Sequence, residues 1–218
     1  MALQKPPKHK KRKKLIKRAR EALPTLRGEH GESDLAAAEY RQLGEIRARH
    51  LVPVREPLVL ISQIQRSGGT LLSQLFDGHP QCHAHPHELL TGHPDKAIWT
   101  VVDLAGDPQD WFDMLFEART PKLFREGYSK YAEGRDDEPE LFPFPLPPRL
   151  QESLFAHQLR SRRPTTQREV YDCYFTSYFN AWLDNHNLTP GPKRIVTAFV
   201  PRLAMDLAQV ERFFGAYE

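Results

Sequence analysis

Cysteine is scarce in this sequence: Cys82 and Cys173 are the only two in 218 residues. Two thiols build no disulfide framework, which excludes the small stapled secreted scaffolds and points to a reducing compartment, the cytoplasm. Long apolar runs are missing too. No stretch of about 18 apolar residues occurs, so no membrane-spanning helix is expected. No charged-then-apolar leader with a small-residue cleavage site is visible, so secretion is not expected. Acid is absent from residues 5–20, KPPKHKKRKKLIKRAR, which hold ten Lys or Arg.

The formal net charge of +3 therefore hides an uneven spread. Taking those ten bases from the total of 31 leaves 21 against 28 acids, a net of −7 for everything else. A mildly acidic body carries a basic head. The head has the charge for weak contact with an anionic surface, whether RNA, DNA or lipid. Leu15, Ile16, Ala19, Ala22, Leu23 and Leu26 recur at helical spacing, while the overall composition fits a solvated tail. An apolar fraction of 39% and an aromatic fraction of 10% suffice for one core, although the mean hydropathy of −0.61 is polar. The expected organisation is a basic, flexible head over 1–30, a helical lead-in over 31–54 and a single domain over 55–218.

Periodicity predicts a helix over 33–50, with Ser33 or Asp34 as its cap. Leu58 to Ile64 is apolar without clean alternation, as in a parallel strand covered on both faces. Thr70 to Asp77 pairs Leu71 with Leu75 and Leu72 with Phe76, and Gly78 and Pro80 supply a helix end. Asp107 to Arg119 and Thr166 to Asn187 are helical, the second with a broad aromatic face suited to a core. PELFPFPLPP, residues 139–148, holds five prolines and makes a stiff packed connection. Ile195 to Val200 is a second short strand, and helical spacing returns from Pro201 to Tyr217. Strands separated by helices predict an α/β fold with a parallel sheet.

Between the first strand and its helix lies QRSGGT. The first N–H groups of a helix lack partners and carry partial positive charge. Gly68 and Gly69 lack a Cβ, Ser67 and Thr70 offer hydroxyls, and Arg66 offers a planar guanidinium that grips phosphate or sulfate bidentately. The knot reads as an anion cradle. It is not the nucleoside triphosphate loop, because Ile64 stands where the first Gly belongs and no Lys precedes the hydroxyl.

QRSGGTLLSQLFDGHP resembles the 5′-phosphosulfate loop of sulfotransferases that use 3′-phosphoadenosine 5′-phosphosulfate (PAPS). Golgi and bacterial members carry R-S-G-[TG]-T-L-L, a helix and then H-P, matched here by Arg66 to Leu72 and by His79-Pro80. The resemblance implies a P-loop-like sulfotransferase fold with a parallel sheet flanked by helices. It also implies that Arg66, Ser67, Gly68, Gly69, Thr70 and Leu71 bind the cofactor, with Arg66 beside the oxygen that gains charge as sulfuryl leaves. A second, looser likeness runs from Thr197 to Glu218, where Phe199-Val200-Pro201 stands for a K-T-P-like turn without its Lys. The family's next strand carries R-D-P and grips the 3′-phosphate. Since no such strand follows Tyr217, the chain reads as the front part of a sulfotransferase domain, incomplete at its C-terminus and as such inactive.

Five of the ten histidines, His79, His83, His85, His87 and His93, fall within fifteen residues. In HAHPHE an extended chain points His83, His85 and His87 the same way. Imidazoles suit first-row metals, but Pro86 interrupts the strand and no matching ligand set stands out elsewhere, so no metal is expected. Sulfuryl transfer to a hydroxyl needs a base. The tyrosylprotein members of the family have a Glu shortly after H-P, which implies Glu88 as the base, with His87 or His85 next. The expected activity is transfer of sulfuryl from PAPS to a hydroxyl-bearing acceptor, carbohydrate being one class. A P-loop small-molecule kinase and a non-catalytic module tethered by the basic head are the competing readings.

Overall fold

Parallel pairing of three short strands decides the architecture. The computed structural model describes residues 34–64, 67–91, 100–128, 141–201 and 203–217. In chain order these form α1 (Asp34–Arg49), β1 (Leu58–Ile61), α2 (Gly69–Gln74), β2 (Cys82–Glu88), α3 (Pro108–Leu115), α4 (Thr120–Glu126), α5 (Pro148–Ser161), α6 (Gln167–Ala181), β3 (Ile195–Phe199), a 3-10 turn (Leu203–Met205) and α7 (Leu207–Tyr217). This is a mixed α/β chain with seven α-helices and a small parallel sheet among the described residues. The basic head lies outside them. Residues 34–39 belong to one unit of the chain, and residues 40–218 form a second that holds the sheet and the core.

The sheet order is β1-β3-β2, so the last strand is central. Leu58 pairs with Val196 and Ile61 with Phe199. On the other side Cys82 pairs with Ile195, Ala84 with Thr197 and Glu88 with Phe199. Four steps along β2 thus match two along β3, so β2 bulges between Ala84 and Glu88. Pro86 sits in the bulge, since it has no N–H to give a ladder and β2 is an edge strand.

The core gathers around α6. Val170, Tyr171, Tyr174, Phe175, Tyr178 and Phe179 are all buried, at helical spacing on a face that spreads around most of the helix. Thr166 caps its start by accepting from the Glu169 N–H, which satisfies one orphan donor. Burial of each aromatic contributes about 1.5–3 kcal/mol. The lead-in is bound to the same helix. Asn180 Oδ1 accepts from the Val52 N–H at 3.0 Å and its Nδ2 donates to Val52 O at 2.8 Å, while the Val54 N–H donates to Thr176 Oγ1 at 2.9 Å.

Several expectations change. The helix read over 107–119 stops at Leu115, because Phe116 turns to an extended conformation and α4 starts afresh at Thr120. The turn between them carries Glu117 into the core, where it is fully buried. The helix read to Asn187 ends at Ala181, with Trp182 extended. α5 was not anticipated beyond the proline-rich run. It begins at Pro148, where a fixed φ suits a first helical position, and Leu150, Leu154 and Phe155 pack inward. The proline-rich stretch itself packs through Phe144 and Leu146.

Candidate functional site

All three strands run the same way, so their carboxyl ends share one edge of the sheet, the edge where open α/β sheets bind ligands. Ile61, Phe199 and Glu88 form one row there. The row continues past the strands: the Val200 N–H donates to Ile61 O at 2.9 Å and the Leu89 N–H to Phe199 O at 2.8 Å. Glu88 therefore stands two strand spacings, about 9.5 Å, from the end of β1. Its side chain is half-buried.

The loop after β1 starts from this row. Arg66 lies outside the described residues. Gly68 adopts φ +88°, a left-handed conformation natural to glycine, and a Cβ there would meet nothing within 4 Å. Backbone is thus open to an approaching group at Gly68. Gly69 has a different reason to be glycine, because a Cβ would collide with the Gln63 carboxamide. Ser67 Oγ lies 2.6 Å from Ile64 O and 3.0 Å from Gln63 Oε1, so its hydroxyl proton is held within the turn. Thr70 is exposed, and its carbonyl accepts from Ser73 Oγ at 2.9 Å. α2 is only six residues long. Its Leu71, Leu72 and Leu75 side chains, read as an apolar stripe, are 64%, 47% and 69% exposed.

The end of β2 is built in the opposite way. His83, His85 and His87 are buried and do share a face, against α6: His83 packs on Phe179 and His85 stacks on Tyr178 with ring centroids 4.7 Å apart. Glu117 completes the group. Its Oε1 lies 2.9 Å from His85 Nε2 and accepts from the Tyr174 hydroxyl at 3.3 Å, while Oε2 accepts from the Leu90 N–H at 3.0 Å. His85 Nδ1 faces the His87 carbonyl at 2.8 Å. Both His85 nitrogens thus face acceptors, so the ring is held between the His87 carbonyl and the Glu117 carboxylate.

His87 takes the other form. Its Nδ1 donates to Glu88 O at 2.9 Å, which leaves Nε2 to accept from the Tyr178 hydroxyl at 3.2 Å. Burial, joined by the His85 charge, pushes His87 down to about 4 against the pull of Glu117, so the ring is neutral. For Glu117, burial acts to raise the pKa, but the His85 charge and hydrogen bond, His87 and the Leu90 N–H together hold it below the usual carboxylate range. Burial and the Glu117 charge raise both Tyr174 and Tyr178, so each stays a hydroxyl donor.

Of the residues singled out in sequence, the structure brings Glu88 to the same sheet edge as the loop and puts His85 and His87 in the core behind it. His87 is 5% exposed with both ring nitrogens engaged, so it has no face left for an acceptor molecule. Glu117 escaped sequence reasoning because it is thirty residues from His87 and reads as one polar position in a helix. The available signal was its setting in FEAR, a lone carboxylate between apolar residues just before the helix-starting Thr120-Pro121. Beside β2 a cavity of about 570 Å³ is lined by Phe144, Phe179, Trp182, His83 and Asn187 among others. Comparison with protein-family models, with curated proteins and with solved structures gave no match.

Proposed function

We propose that the chain is a PAPS-dependent sulfotransferase that moves sulfuryl to a hydroxyl acceptor, carbohydrate hydroxyls being one class. The observation that carries this reading is the row Ile61–Phe199–Glu88, which puts Glu88 at the strand edge from which the chain leads to the Ser67-Gly68-Gly69-Thr70 turn. The open backbone at Gly68 fits close approach of phosphate oxygens. PAPS, when bound, supplies an activated sulfuryl on a phosphate leaving group. Arg66, Ser67, Gly68, Gly69, Thr70 and Leu71 hold that phosphate, with Arg66 countering the charge that grows on it. Glu88 takes the proton of the acceptor hydroxyl. His87, through its bond to the Glu88 carbonyl, positions Glu88 and takes no proton itself. Both thiols are free, which fits a reducing compartment, and a cytoplasmic location is part of the proposal. No helix among the described residues is long and apolar enough to cross a membrane.

Thermal unfolding with 3′,5′-ADP, and in parallel with Mg-ATP, tests the loop. Protection by 3′,5′-ADP that Arg66→Ala abolishes is the expected result. Protection by Mg-ATP alone would replace the reading with a kinase. Glu88→Gln should leave 3′,5′-ADP binding unchanged and, wherever sulfuryl transfer is measurable, slow it by about 10²–10⁴. A variant with near wild-type transfer would remove Glu88 from the chemistry.

A further inference from the structure

We propose that His85, His87 and Glu117 form a site for one first-row divalent cation, of the kind Zn²⁺ fills. The sequence lacked a partner for the histidine pair, and the turn between α3 and α4 delivers one. The three side chains are each at least nine-tenths buried, and one donor atom from each lies within 4.8 Å of the others. Glu117 Oε1 is 2.9 Å from His85 Nε2, and Glu117 Oε2 is 3.8 Å from His87 Nδ1. Two ligands on a common ion at 2.0–2.2 Å stand about 3–3.4 Å apart, so the two Glu117 contacts lie near that spacing, and any pair near the 4.8 Å limit must draw in by about 1.4 Å. Two imidazoles and a carboxylate are a set suited to Zn²⁺, and to Fe²⁺ in a three-ligand facial arrangement. Tyr174 Oη lies 3.3 Å from Glu117 Oε1, and the Glu88 carbonyl oxygen lies 2.9 Å from His87 Nδ1.

The proton on His85 Nε2 occupies the seat that the ion takes. Binding breaks that N–H, forms metal–nitrogen and metal–oxygen bonds, and releases the proton to solvent. The His87 proton moves from Nδ1 to Nε2, where Tyr178 Oη accepts it, and this frees Nδ1 for the metal. Metal binding that displaces protons strengthens as pH rises. The group is closed to solvent, so the ion enters as the chain folds. Detecting the ion requires no activity, and its binding withdraws His87 Nδ1 from the Glu88 carbonyl.

The full chain, without an affinity tag, is refolded with Zn²⁺ or with EDTA, desalted and assayed for bound metal. The expected result is one Zn²⁺ per chain after refolding with the ion, a Tm about 5–10 °C above the EDTA-refolded protein, and at least one proton released per ion. The isosteric pair His85→Gln with Glu117→Gln removes two ligands and both charges together, and should lose the tightly held ion. Metal content below 0.2 per chain (roughly the level of surface carry-over), or equal content in the double variant, would overturn the site. Co²⁺ serves as a probe that needs no variant. Strong visible absorption of a four- or five-coordinate ion in the wild-type chain is expected, and a weak six-coordinate spectrum overturns the proposal.

Discussion

The ends of β1 and β2 lie on one edge of one sheet, yet they are built by opposite rules. After β1 the chain makes a short exposed turn that holds its own hydroxyl and leaves Gly68 open. After β2 three histidines and a carboxylate arriving from thirty residues away pack together, with His85, His87 and Glu117 hydrogen-bonded and His83 Nε2 without a hydrogen bond. The histidine-rich end supplied His87 and His85 as further candidate bases in sequence. Packed under α6, it is the more rigid, because a buried polar group without a partner costs about 1–3 kcal/mol and the fold has satisfied nearly all of them.

Breaking the buried end should have the largest effect. Glu117→Ala takes the carboxylate partner from His85 and strands Leu90 N–H and Tyr174 Oη. A loss of about 3–5 kcal/mol in denaturant unfolding is expected. A loss under 1 kcal/mol would mean the pair is not closed off.

Acid should come next. The folded chain keeps His87 neutral down to about 4, whereas the unfolded chain protonates it near the ordinary value of 6.5. Between those values the unfolded state binds more protons, so stability is full above pH 6.5 and declines as pH falls to 4. The difference corresponds to about 3 kcal/mol. Glu117 acts in the same sense at lower pH, since its depressed pKa makes its contribution vanish below the usual carboxylate range. His87→Gln should flatten unfolding free energy between pH 4 and 6.5, and an unchanged slope would assign it to another group.

The loop should respond more gently, and its two glycines differently. Gly68→Ala pays only for its left-handed backbone, about 1–2 kcal/mol. Gly69→Ala meets the Gln63 carboxamide, and Gln63→Ala should rescue much of its loss while doing nothing for Gly68→Ala. Equal rescue of both would mean that the two positions share one constraint. Ser67→Ala removes an exposed, local hydrogen bond and should shift stability by no more than about 0.5 kcal/mol.

Much of the frame was legible before folding. Local periodicity located α1, β1 and β3 to within three residues and found α6 and α7 with one end of each about six residues out, because each carries an apolar pattern or a cap that acts on its own neighbours. The alternation of His83, His85 and His87 foretold a shared face, since side-chain direction in an extended chain is local geometry. Helix ends were harder. Trp182 leaves the helical path and the 107–119 segment breaks at Phe116, both for reasons that lie in packing.

What the sequence by itself determined is the set of parts: an α/β chain, a basic head, a Gly-Gly turn after a strand, and histidines in register. Tertiary structure decided which of them are open and which are buried. The partner of His85 comes from a turn whose residues show no pattern, and its choice depends on a desolvated carboxylate needing a cation. The exposure of Leu71, Leu72 and Leu75 was equally invisible, because an apolar stripe states a preference for cover without saying whether a neighbour supplies it. Spacing along the chain sets directions over a few residues. Charge neutralisation and burial act across the whole fold, and only the assembled core can settle them.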